Sequence, residues 1–144
     1  MLQNAEATSA REMSYVIDLE RCRLLRRSPE QMLLQRRCPA CRARLAEASK
    51  PPRPETHIRD IVRCCSRKED FITPDMPLLE IVYRTLLALG NKPVRLRELH
   101  HRVTQEWATP SNPKNVSLED LRRILDSDTY YGFAAISQEP SDVI

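Results

Sequence analysis

The sequence predicts a mostly α-helical chain with a small β component, and three observations carry that reading. Only 2 of 144 residues are glycine, against roughly ten at an average usage of about 7%; turn-rich all-β folds need more. Eleven prolines and 30% charged residues suit helices joined by stiff connectors. In the second half, Leu79, Val82, Tyr83 and Leu86 recur at the spacing of one helix face. The length fits one domain or two small ones and leaves little room for separate cofactor and substrate domains.

The elements follow in order. Residues 1–12 are polar and alanine-rich and are expected to form a flexible N-terminus. Tyr15, Val16, Ile17 and Leu19, then Leu24 and Leu25, make the first apolar segment, either one helix to Arg27 or a short strand followed by a helix. Ser28-Pro29-Glu30-Gln31 opens the next helix, with a capping serine, proline at the first helical position and glutamine three residues after the cap; Cys38-Pro39 ends it. Residues 42–48 hold one or two helical turns, and Lys50-Pro51-Pro52-Arg53-Pro54 is a stiff connector. Thr56 to Cys65 is helical by pattern, with Ile58, Ile61 and Val62 on one side. Thr73-Pro74-Asp75-Met76-Pro77 is a second connector, where the chain is expected to divide into a module of residues 13–73 and another of 74–136.

Pro77 opens the clearest helix, and Gly90-Asn91 stops it. Pro93 to Leu96 is short and extended. A helix with Leu96, Leu99, Val103 and Trp107 on its core face follows. Thr109 to Asn115 is a loop, Ser117 caps a helix carrying Leu118, Leu121, Ile124 and Leu125, and Tyr130 to Ile136 reads as a strand. Residues 137–144 are expected to be a tail.

No charged segment followed by an apolar one opens the chain, and no apolar run reaches the ~20 residues of a membrane span; a cytoplasmic location is expected. Five cysteines, an odd number in a non-secreted chain, argue against a disulfide framework. The formal charge of +3 is uneven. Residues 1–73 carry 15 Lys and Arg against 10 Asp and Glu, and residues 74–144 carry 8 against 10. Within 21–44, Arg21, Arg23, Arg26, Arg27, Arg36, Arg37, Arg42 and Arg44 face only Glu30. Such a block attracts phosphate or an acidic surface. A general preference for arginine, 19 against 4 lysines, accounts for it equally.

Cys38-Pro39-Ala40-Cys41 is the sharpest local signal. Two thiols separated by two residues across a turn form half of a tetrahedral zinc site. A thioredoxin-like redox pair needs a βαβ context that this pattern lacks. For the other half, Cys64 and Cys65 are preferred, giving a structural Zn2+ held by Cys38, Cys41, Cys64 and Cys65. Adjacent cysteines share a metal only if the chain leaves helical geometry there. The alternative pairs Cys38 and Cys41 with one of Cys64 and Cys65 and with His57 or Cys22. In a continuous helix His57 and Cys64 lie roughly 10 Å apart, so both cannot bind one ion. Cys22 reads more readily as a small buried hydrophobe, and His100-His101 as a solvated pair. With few large aromatics between residues 13 and 70, that half has a thin core, the situation in which small modules use a metal.

Helix, short strand, helix, loop, helix and strand across residues 77–136 is the order of a winged-helix domain. The stretch from Pro77 through Gly90-Asn91-Lys92-Pro93-Val94-Arg95-Leu96-Arg97-Glu98-Leu99 resembles bacterial winged-helix modules of the HARE-HTH type over about 60 residues. Two departures stand out: Arg95 or Leu96 replaces the usual Ser/Thr cap, and the wing lacks a second strand and a basic tip. The resemblance implies DNA contact, with the helix from Ser117 to Asp126 in the recognition position. Arg122 and Arg123 would read sequence there, and Arg95, Arg97, Arg102 and Lys114, with His100 and His101, would contact the backbone. Glu119, Asp120 and Asp126 on the same helix weaken its attraction for phosphate, and Glu98–Arg102 has the spacing of an ordinary helix ion pair.

No nucleophile elbow, zinc-protease motif or phosphate loop is present, and the glycines are too far apart to build one. The expectation is a non-enzymatic, DNA-binding, transcription-regulator-like protein with a structural zinc. The rival is an adaptor subunit whose winged helix docks a protein, and a homodimer built on Tyr15 to Leu25 is a further option. No membrane or small-molecule substrate is expected among the partners.

Overall fold

The computed structural model describes residues 13–137. The expected flexible N-terminus, and the expected tail apart from Ser137, lie outside the described residues. The fold is mostly α-helical with one small antiparallel sheet.

Of the two readings of the first apolar segment, strand then helix is the one found. Strand β1 (Met13–Ile17) is followed by α1 (Leu19–Leu24). Asp18 forces the switch by accepting from the backbone N–H groups of Glu20 and Arg21, an N-cap in extended geometry. Arg26 turns out of α1 with a positive φ of 61°. Helix α2 (Pro29–Gln35) starts as its sequence requires, with Ser28 accepting from the N–H of Gln31 and proline in the first turn. Helix α3 (Pro39–Ala46) begins at the Cys-Pro pair. Helix α4 (Pro54–Arg63) begins on the last proline of the connector, two residues earlier than its apolar pattern suggested, because proline is preorganised for the first helical turn.

Helix α5 (Leu78–Ala88) buries Ile81, Val82, Tyr83, Leu86 and Leu87. It stops at Gly90 (φ 81°) and Asn91 (φ 55°), both in the left-handed region. Asn91 does more than stop the helix: its side-chain amide donates to the Ile17 carbonyl at 2.9 Å and accepts from the Ile17 N–H at 2.8 Å, docking the turn on β1. Strand β2 (Val94–Arg95) leads into α6 (Leu96–His101), whose N-cap Arg95 makes no side-chain cap. The helix then widens into a π-type turn over Arg102–Glu106. Helix α7 (Leu118–Asp126) is capped by Ser117, which accepts from Asp120 N–H. Strand β3 (Phe133–Ser137) starts later than the aromatic pattern implied. Tyr130, Tyr131 and Gly132 instead form the turn before it, where the buried Asp128 carboxylate accepts all three of their N–H groups. Gly132, at φ 86°, is required: a Cβ there would meet Cys22 Sγ at 2.5 Å.

The sheet order is β2-β1-β3, antiparallel throughout. The partner that the 130–136 segment lacked comes from the N-terminus: Tyr15 pairs with Val94 on one side and Ala135 on the other. This bears on the expected division at residues 73–74. Strand β1 belongs to the sheet of the second half, and the Tyr15 hydroxyl donates to Asp126 on α7 at 2.7 Å. One continuous buried core runs from Tyr15 and Leu33 through Ile61 to Leu121 and Phe133. The connector at 73–77 thus joins parts of one packed unit.

An ionic cluster ties the halves together. Glu80 on α5 accepts from Arg36 at the end of α2 (2.8 and 3.0 Å), from Arg84 (2.7 Å) and from the Tyr131 hydroxyl (2.8 Å). The Arg36 guanidinium lies 4.9 Å from the Tyr83 ring centre. Burial would raise the Glu80 carboxyl, but these donors outweigh it and hold it down at about 2.

Candidate metal centre and the charged surface

The Cys-Pro-Ala-Cys stretch forms the N-terminus of α3. Cys38 is its extended N-cap and Cys41 sits in its first turn, so both sulfurs face one side. The other pair depends on how α4 ends. Cys64 leaves helical geometry (φ −128°, ψ −67°), and a short 3-10 turn, Cys65–Arg67, follows. That break lets adjacent cysteines turn to a common point, which a continuous helix would forbid.

The sulfurs of Cys38, Cys41, Cys64 and Cys65 all lie within 4.8 Å of one another, and all four thiols are free. Cys38 and Cys64 sulfurs are 3.9 Å apart, and those of Cys41 and Cys64 3.7 Å. A tetrahedron with metal–sulfur bonds near 2.3 Å has edges of about 3.8 Å. The four cysteines are therefore close enough to hold a single metal ion.

The surroundings favour thiolate at Cys41. Burial would raise the Cys41 thiol, but hydrogen bonding from Arg44, with Cys38, Arg37 and Cys64, outweighs it and brings it down to about 6. Arg44 donates to Cys41 Sγ at 3.0 Å, and the backbone N–H of Cys38 donates to Cys65 Sγ at 3.1 Å. Cys65 is pushed up to about 12, chiefly by burial. Hydrogen bonding with Cys41 and Cys38 raises Cys64; crowded thiols of this kind lose their protons most readily to a cation among them.

The remaining candidates lie elsewhere. Cys22 is fully buried, donates to the Tyr131 carbonyl at 3.0 Å and belongs to the packing of α1 on the β3 turn. His57 is buried and faces Arg37, whose guanidinium donates to His57 Nδ1 at 3.1 Å and to Asp60 at 3.2 Å. Arginine can only donate, so Nδ1 must accept, and burial together with the Arg37 charge lowers the His57 pKa. His57 thus positions Arg37. A ring nitrogen of His100 bonds the Val116 carbonyl at 2.7 Å, and His101 is exposed.

The expected nucleic-acid residues are scattered in their pairing. Arg122 bonds Glu119 at 2.9 Å and lies 3.6 Å from Asp126; Arg123 lies 3.9 Å from Asp120. Arg102 is held between Glu98 (2.9 Å) and Glu106 (3.8 Å). Lys114 donates to the Pro74 and Asn112 carbonyls. Arg95 and Arg97 are exposed and make no ion pair among the described residues. The Arg21–Arg44 block is also partly consumed inside the molecule. Arg23 pairs with Glu30, Arg36 with Glu80, and Arg37 with Asp60, while Arg27 stacks on Tyr130.

Two features escaped the sequence reading. Arg44 lies three residues after Cys41, a helical spacing that brings the two together. Arg37 had no such signal, because its partners lie 20 and 23 residues away. No protein-family model, curated protein or solved structure matches the chain. Fold and site alone define its class: a mostly α-helical protein with a small antiparallel sheet and a four-cysteine cluster able to hold a metal ion. Among the described residues, no helix is long and apolar enough to cross a membrane.

Proposed function

We propose that this chain is a non-enzymatic DNA-binding protein of the transcription-regulator kind, working in the cytoplasm and held together by a structural zinc ion. Zinc is favoured among metals because the donor set is four sulfurs at tetrahedral spacing, with no open position for a substrate. A reduced cytoplasm keeps such thiols available. The order α5, β2, α6, α7, β3 supports the winged-helix reading.

One observation carries the DNA assignment. Residues 36–68, which surround the cysteines, hold ten Lys and Arg against three Asp and Glu. Phosphate neutralisation is the dominant, salt-sensitive source of DNA affinity, and four thiolates on one divalent cation leave that segment strongly positive. The test is a salt titration of the full chain on duplex DNA. Affinity that falls steeply and linearly on a log–log plot is expected; no binding at physiological salt would overturn the assignment.

The rival is an adaptor that docks a protein through the same helices. It is favoured by the charge of α7, where acids on the same helix match Arg122 and Arg123. An adaptor would ignore DNA and co-purify with a defined protein partner.

A further inference from the structure

Two clefts flank the cysteine cluster, and the buried Arg37 lines both. The first, about 210 Å³, is also walled by Arg36, Arg42, Lys68 and Arg84, with Asp70 the one carboxylate. The second, about 310 Å³, is walled by Arg44, Arg63 and Cys64, with Asp60 the one carboxylate. Glu80 already occupies Arg36 and Arg84. Arg42, Lys68 and Arg63 are exposed and make no ion pair among the described residues.

Two further observations mark the clefts as incomplete. Arg37 is 5% exposed, and its Nε is buried with no hydrogen-bond acceptor; an unpartnered buried donor is costly, and it leaves an incompletely satisfied cation in the wall shared by the two clefts. Cys38 and Pro39, at the start of α3, line the first cleft, and Cys38 provides no side-chain cap. The first-turn N–H groups of α3 thus lack intrahelical acceptors and carry the positive end of the helix dipole.

We propose that each cleft takes one phosphate of a DNA backbone, gripped by Arg42 and Lys68 in the first and by Arg44 and Arg63 in the second. The proposal rests on the DNA-binding reading and deepens it by naming the contact surface: the cysteine module, in place of α7. Arg37 walls both clefts, so they lie on either side of one side chain.

The experiment uses the full-length, metal-loaded chain and a short duplex DNA, with affinity measured across a salt series. Arg42→Ala with Lys68→Ala empties one cleft, and Arg63→Ala weakens the other; these side chains are exposed, and Arg44 is left alone because it also bonds Cys41. The Arg42 and Lys68 pair should reduce the slope of log K against log salt by about 0.9, the value of one phosphate contact, and Arg63→Ala should reduce it by less, since Arg44 remains. Metal content and circular dichroism should not change. Arg122→Ala with Arg123→Ala should leave the slope where it was. If the parent protein binds DNA and the cleft variants keep its slope, the clefts are not the contact surface and this proposal fails while the DNA reading stands. If the parent protein does not bind DNA, both fail together.

Discussion

The segment around the cysteines and the helices that follow it draw on the same charged and apolar residues in different ways. In the α5–α7 region, leucines and isoleucines at helical spacing supply the core: Ile81, Leu86, Leu87, Leu96, Leu99, Leu121 and Leu125 are fully buried. Arg84, Arg102, Arg122 and Arg123 there face acids three or four residues away on the same helix, and of the region's other arginines only Arg95 and Arg97 stand without an ion pair among the described residues. Between residues 36 and 68 the buried apolar set shrinks to Ile61 with Cys41 and Cys65, and most cations make no ion pair among the described residues. The lesson concerns what each region needs from outside. One is closed in packing and, for most of its arginines, in charge. The other asks for a cation among its sulfurs and offers its own cations outward.

Metal removal breaks this comparison most severely. Structural zinc contributes on the order of 10 kcal/mol to the folding of small zinc modules. Chelation, or Cys41→Ser, should therefore open α3, α4 and the turn after them. The β1–β3 pairing and α5–α7 should keep their protection, since β1 belongs to the sheet and not to the cysteine region. Residue-resolved hydrogen exchange reads this directly; uniform protection with and without metal would refute it.

The link between the regions comes next. Glu80→Gln leaves Arg36, 8% exposed, without its counter-charge, and should cost about 3 kcal/mol in a denaturant melt. The pH dependence has a definite sign. Glu80 is held near 2 in the fold against an ordinary 4.5, so its contribution is complete above about pH 4.5 and is lost as pH falls through about 2. The parent protein should lose stability over that window, and the Gln variant should lose less. Gly132→Ala tests the seam between α1 and β3. The positive φ and the approach to Cys22 Sγ together should cost about 2–4 kcal/mol. Smallest of all, Arg122→Ala removes an exposed same-helix pair and should change stability by less than about 1 kcal/mol.

The legibility of each region in the sequence follows the same contrast. Helices α5 and α7 were readable because their information is local: apolar period, Ser117 cap, Gly90-Asn91 stop. Helix α2 was readable for the same reason, from Ser28-Pro29. The four cysteines were readable in spacing and chemistry, and the break at Cys64 was a stated requirement of that set. What could not be read was pairing over distance. Strand β1 finds β2 and β3 some 80 and 120 residues away. Glu80 meets Arg36 across 44 residues and Tyr131 across 51. Such contacts leave no periodic mark, so nothing at Thr73 to Pro77 signals that buried residues on either side of it share one core. Strand β3 began late because Asp128 captured the backbone of the aromatic stretch before it.

The most direct test of the central claim is X-ray absorption spectroscopy at the metal edge, on protein purified without added metal and checked for metal stoichiometry. One zinc per chain, with a shell of four sulfurs near 2.3 Å, is the predicted result. Metal-free protein that keeps full protection around Cys38, Cys41, Cys64 and Cys65, or a shell containing nitrogen from His57, would contradict it.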